Sequence, residues 1–166
     1  MRRRGAWTAD ELGAFLEASA DTRLEAAWHL LADAGMRVGE VLAVRWADVD
    51  AENGRINVGD AVVGVPYSVL VAPLAAPGAR VIAASPDLLD ALRRHRRRQD
   101  AERSEWDCHF RDADLIVCRE DGRPLHPRAL HQAFRRRIAA TGMPVIALAD
   151  LCRSDGRRAP REAVVV

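Results

Sequence analysis

The stretch DAGMRVGEVLAVRW, residues 33–46, decides how the rest of this chain is read. Val38, Val41, Leu42 and Trp46 recur at i, i+3, i+4 and i+8, the spacing of one buried helix face. Gly35 stops the helix before it, and Arg37 stands at the head of the new one. A guanidinium at the junction of two apolar helices is either a solvent-facing cap or a group held there to grip something negative. Glu40, one turn on, is placed either to orient it or to form a simple i,i+3 surface pair with it.

Upstream, Thr8-Ala-Asp-Glu11 reads as a capping box opening a first helix whose buried face is Leu12, Phe15 and Leu16. A second helix is predicted from about Thr22 to Ala34, with Leu24, Ala27, Trp28 and Leu31 on one side. After Trp46 the pattern changes. Asn53-Gly54 is a strong hairpin signal, and Arg55–Val58 alternates behind it. Val69–Ala72 and Arg80–Ala83 read as strands joined by a Pro- and Gly-containing loop. Ser85-Pro86-Asp87 starts another helix, burying Leu88, Leu89 and Leu92 and running into RRHRRR (93–98), read as its solvated end. Leu115–Cys118 reads as a short buried strand and Glu120-Asp-Gly122 as a turn. Pro127 opens a helix carrying Leu130, Phe134 and Ile138 to Gly142, with Arg135 and Arg136 on its polar side. After Leu151 no amphipathic period continues.

Length and composition bound the function. A chain of 166 residues, 49% hydrophobic and 30% charged, suits one globular domain. All 25 basic residues are arginine, so no chemistry requiring a lysine can run on this chain alone. Net charge is +1, divided as −5 over residues 1–90 (8 Arg, 13 acids) and +6 over 91–166 (17 Arg, 11 acids). That asymmetry is compatible with a nucleic-acid face and equally with exposed arginine-rich helices. Cys108, Cys118 and Cys152 have no metal-ligand spacing, nor do Cys108-His109 or His126 with His131, so no metal is expected. Ala61–Ala79 is uncharged and long enough to span a bilayer, but its prolines and glycines favour strands and a loop. With no apolar segment after MRRRGAW, a cytoplasmic location is expected.

Helix, Gly35, Arg37-Val-Gly-Glu40 and an apolar helix ending in Arg45-Trp46, followed by strands, CREDGRPLHP (118–127), a helix and IALADL (146–151), resembles the catalytic domain of the tyrosine recombinases, the phage-integrase family. The family's first box is similar to "TGLRRGELLALRW"; this chain has AGMRVGEVLAVRW. The resemblance runs from about Thr8 to Leu151. It implies an α+β fold, a mainly helical domain with a small antiparallel β-sheet. It also implies a chemistry without added cofactor, in which a tyrosine attacks a DNA phosphate while arginines neutralise the phosphoryl oxygens and a lysine and a histidine handle protons. A guanidinium fork suits that task, since it grips two oxygens at once. Double-stranded DNA is the implied partner, and self-association is implied because such enzymes act as tetramers.

Arg37 matches the family's first arginine and is the only matched catalytic position. Leu74 stands where the hairpin lysine is expected, Ala149 where the histidine is, and Cys152 where the second arginine is. Arg153 lies one residue late, a rotation of roughly 100° on a helix. Arg37, Arg80, Arg135 and Arg136 are the expected DNA-binding residues. The only tyrosine, Tyr67, belongs to the hairpin region. Residues 1–151 are therefore expected to be a truncated, catalytically inactive recombinase-like domain, a remnant of a mobile element, and 152–166 an irregular tail. The alternatives are a retained non-catalytic DNA-binding or regulatory module, and an active recombinase whose frame shifts near codon 152.

Overall fold

In the computed structural model, which describes residues 5–75 and 78–153, helix α1 (Ala9–Ala18) begins at the expected capping box. Thr8 Oγ1 accepts the Glu11 N–H at 3.2 Å and the Glu11 carboxylate accepts the Thr8 N–H at 2.9 Å. Leu12 and Phe15 are buried, while Leu16 packs at the margin. Helix α2 (Glu25–Ala32) starts later than its pattern suggests, because Asp21 takes a positive φ of 59° and Thr22 Oγ1 bonds back to the Ser19 carbonyl. All eight of its residues are buried, not one face. It lies between α1, α3, α4 and the 148–153 segment, and its two polar members are partnered: Glu25 by Arg94, His29 Nδ1 by Asp33 at 2.8 Å.

Gly35 adopts φ 61° as the stop, and α3 (Val38–Ala43) follows. The expected run to Trp46 does not form. The helix ends at Ala43 because Val44–Trp46 is captured by a neighbouring segment: the Ile116 N–H reaches the Val44 carbonyl at 3.1 Å and the Trp46 N–H the Asp114 carbonyl at 2.9 Å. Trp46 instead opens a single 3-10 turn, Trp46–Asp48. The 115–118 stretch is buried as expected, but it makes isolated bridges (Arg45 with Leu115, Cys118 with Pro124) and no ladder.

Among the described residues five strands make two antiparallel sheets. β1 (Val49–Asp50), β2 (Arg55–Val58) and β5 (Arg80–Ala83) form one in the order β1-β2-β5, with Gly54 at φ 61° in the tight turn. β3 (Asp60–Val65) and β4 (Ser68–Pro73) form a separate hairpin that turns at Tyr67, φ 62°. The Val69–Ala72 and Arg80–Ala83 strands thus exist but belong to different sheets.

Ser85 caps α4 (Pro86–Trp106) by accepting the Leu88 N–H. Its inner face is Leu88, Ala91, Leu92, His95 and Gln99; Leu89 is only half-buried. RRHRRR is therefore the middle of a 21-residue helix, not its solvated end. Pro127 opens α5 (Pro127–Thr141), which Gly142 closes at φ 67°. The core centres on Trp7, Phe15, Trp28 and Phe134, whose rings lie 4.9–6.0 Å apart. Leu148 and Leu151 seal it from the 3-10 segment Leu148–Arg153, and Trp7 Nε1 donates to the Pro144 carbonyl at 2.8 Å. Residues 154–166, most of the predicted tail, lie outside the described residues. No described helix is long and apolar enough to cross a membrane.

Candidate nucleic-acid interface

Arg37 occupies the N-cap of α3 with extended backbone (φ −78°, ψ 155°) and an exposed side chain. Arginine has no acceptor, so only half of a capping box forms: the Arg37 N–H donates to Glu40 Oε2 at 2.8 Å. Among the described residues its guanidinium has no hydrogen-bond or ion-pair partner. Six-residue α3 is short, so the charge at this spot is the guanidinium's rather than the helix dipole's.

Glu40 is 2% exposed, and its partner is Arg80. Arg80 Nη1 donates to Oε1 at 2.9 Å and Nη2 to Oε2 at 2.8 Å, a two-pronged grip, while Nη1 also reaches the Gly78 carbonyl at 3.1 Å. Burial alone would raise the Glu40 carboxyl. The Arg80 fork, the Arg37 N–H and the charges of the two arginines, Arg80 first, outweigh that and hold it below the ordinary carboxylate range. The structure thus brings Arg37, Glu40 and Arg80 together, but it joins the carboxylate to Arg80, not to the Arg37 side chain. Arg80 carries no free fork to offer a phosphate.

Leu74 anchors the loop leading to β5: its N–H donates to the Gly59 carbonyl at 2.8 Å, and its side chain packs against the core. Ala149 is exposed in the 148–153 segment, and half-buried Cys152 donates its thiol to the Ala149 carbonyl at 3.1 Å. Arg135 and Arg136 are exposed on α5, and α5 packs against both α3 and β3. Arg128 and His131, also exposed, precede Arg135 at i, i+3 and i+7, so they share its face. That stripe was readable once Pro127 fixed the helix start. His126 was a less legible participant. Its Nδ1 accepts the Arg128 N–H at 3.1 Å, and Nε2 lies 3.3 Å from the Val65 carbonyl, which ties the β3–β4 hairpin to the start of α5. Its ring lies 2.9 Å from where a Cβ on Gly64 would stand, a contact that glycine permits.

The arginines of 93–98 are largely engaged. Arg94 grips buried Glu25, Arg98 donates to the Thr22 carbonyl at 2.7 Å, and Arg96 lies over the Trp46 ring at 4.8 Å. No group of His, Cys, Asp and Glu among the described residues is arranged to hold a metal ion.

A family model described as the phage integrase family matches residues 7–147. The chain belongs to the phage integrase family. A search of curated proteins returns no match. Solved structures of recombinases share the fold. The XerA recombinase superposes with a TM-score of 0.67 at 20% identity, covering 92% of this chain and 49% of that one. The Tn1549 transposon integrase, in complex with transposon right end DNA, gives 0.75 at 16% identity, covering 92% and 52%. The lambda integrase catalytic core gives 0.54 at 19%, covering 90% and 80%. The chain thus spans about half the length of the first two. Within the integrase fold, the α+β arrangement implied by the resemblance over about Thr8 to Leu151 is the one observed.

Proposed function

We propose that this integrase-family protein binds duplex DNA through the Arg37 guanidinium and the exposed face of α5, and that its own residues do not cleave the strand. The observation that carries the binding half is the state of Arg37: exposed and, among the described residues, without a side-chain partner, beside a carboxylate already satisfied by another arginine. Arg128, Arg135 and Arg136 extend the positive surface along a helix that packs against α3. Phosphate contact by such groups releases counterions and makes affinity fall steeply with salt. The Tn1549 integrase was solved as a DNA complex, which fits this partner.

The non-cleaving half rests on the chemistry of three positions. Phosphoryl transfer needs the developing charge neutralised and the leaving oxygen protonated. Leu74 is apolar and packs half-buried against the core, Ala149 presents only a methyl, and Cys152 directs its thiol to a main-chain carbonyl. None of them supplies a proton or a cation to a phosphate held by Arg37.

Fluorescence anisotropy with a labelled random-sequence duplex, over a salt series, tests the binding. Arg37→Gln is expected to reduce the slope of log K against log salt by about 0.9, the loss of one phosphate contact. Absence of binding at low salt, or an unchanged slope in the variant, refutes it. Incubation with a nicked duplex that traps covalent protein–DNA adducts should yield none; an adduct surviving denaturing electrophoresis refutes the non-cleaving half.

A further inference from the structure

Arg37 and Glu40 sit one turn apart, the spacing at which an arginine and a glutamate on a helix close on each other. In this structure they do not, although the Arg37 main chain already donates to that carboxylate. Arg80 takes the place instead. It is fixed from a different element: its backbone pairs with Val58 in the three-stranded sheet, and Nη1 is also held by the Gly78 carbonyl. Its fork covers both carboxylate oxygens, and with the Arg37 N–H three donors converge on Glu40 in a spot that is 2% exposed. A buried carboxylate stripped of Arg80 would lie beside one remaining cation, the Arg37 side chain, and desolvation would favour closing that contact.

We infer that Arg80 is a positioning residue that keeps the Arg37 guanidinium free for a DNA phosphate by occupying both oxygens of Glu40. The inference rests on the proposed phosphate role of Arg37. It assigns Arg80 a task other than touching DNA, and it makes Glu40 a potential trap for Arg37 whose closure Arg80 prevents. Loss of Arg80 then silences Arg37 without removing it, and loss of Glu40 together with Arg80 restores it.

The test compares wild type with Arg37→Gln, Arg80→Gln and the double variant Glu40→Gln/Arg80→Gln, which leaves net charge unchanged. Each is first checked for folding by circular dichroism at the assay temperature. Binding of a labelled random-sequence duplex is then measured across a salt series. R80Q should lose as much slope as R37Q, about 0.9. The double variant, which also covers the case in which R80Q alone does not fold, should return to the wild-type slope. A double variant still lacking that slope overturns the inference, because Arg80 would then itself contact phosphate. Wild-type slope in R80Q also overturns it, since the ion pair would be structural only. If R37Q keeps the wild-type slope while R80Q loses it, the phosphate role of Arg37 and the inference fall together. If R37Q and R80Q lose it and the double variant does not recover, only the inference falls.

Discussion

Truncating Phe134 to alanine should remove a large part of the stability of the domain. Its side chain is 1% exposed, and its ring centroid lies 5.9 Å from Trp7, 5.6 Å from Phe15 and 5.6 Å from Trp28. Burying a phenylalanine is worth about 1.5–3 kcal/mol in transfer alone. The cavity left among three rigid rings brings the truncation cost to about 3–5 kcal/mol. Aromatic contacts worth about 0.5–1.5 kcal/mol each place it in the upper part of that range. Phe134→Leu keeps most of the volume and should cost about 1.5 kcal/mol. In urea, with a slope of about 2 kcal/mol per molar, the alanine variant's midpoint should fall by about 2 M. Trp7 and Trp28 lie in the same cluster, so intrinsic tryptophan fluorescence reports the transition directly. An alanine variant no less stable than the leucine variant would refute the packing argument, and with it the role of this cluster in fixing α5 and its arginines.

Two further outcomes follow from buried polar groups and backbone. His95 is 4% exposed, lies 2.6 Å from the Ile116 carbonyl through Nε2, stacks on Trp46, and leaves Nδ1 buried without a partner among the described residues. Burial, then the nearby Arg23 and Arg98, depress its pKa despite the Ile116 carbonyl and Glu102. The unfolded chain therefore binds the proton more readily, so the stability is present above the ordinary histidine pKa of about 6.5 and is lost as pH falls below it. Between about pH 7.5 and 5.5 the Tm should fall more for wild type than for His95→Gln; equal losses would sink this account. Gly122 adopts φ 81°, and a Cβ there would stand 2.4 Å from the Arg111 carbonyl oxygen. Gly122→Ala should cost about 2–3 kcal/mol in a urea titration, and an unchanged midpoint would contradict the clash.

Elements set by local chemistry were legible in the sequence: the Thr8 capping box, the Asn53-Gly54 turn, the Ser85-Pro86 start and the span from Pro127 to Gly142 all form as read. Readings failed where a distant segment overrode the local pattern. The apolar period through Trp46 is genuine, yet α3 stops at Ala43 because Asp114–Ile116 captures the backbone there. Trp46 then lands on α4, donating to Gln99 Oε1 at 2.6 Å, a contact across 53 residues that no window of sequence contains. The pairing of Glu40 failed for the same reason. Sequence spacing favours Arg37, three residues away, whereas the sheet delivers Arg80 from forty residues away.

The distribution of arginine shows why net charge was a weak guide to the proposed interface. In a chain with no lysine, arginine must serve every structural use of a cation, and several of the seventeen in residues 91–166 do so. Arg94 neutralises Glu25, Arg98 and Arg137 satisfy oxygens of the turn between α1 and α2, and Arg103 meets Asp112 and lies over Phe110. From the acidic half, Arg23 grips Glu102 through two nitrogens. Many of the arginines behind the +6 balance are thus already engaged in holding the fold, and a surface inferred from the count would be placed on α4. The arginines left without a carboxylate partner among the described residues are more informative than the sum. Arg37 at the head of α3 and Arg128, Arg135 and Arg136 on α5 lie on two helices that pack together, each with an exposed guanidinium. A phosphate backbone approaching those two helices meets guanidinium groups that, among the described residues, no carboxylate grips, and such groups can contribute to the salt dependence of binding.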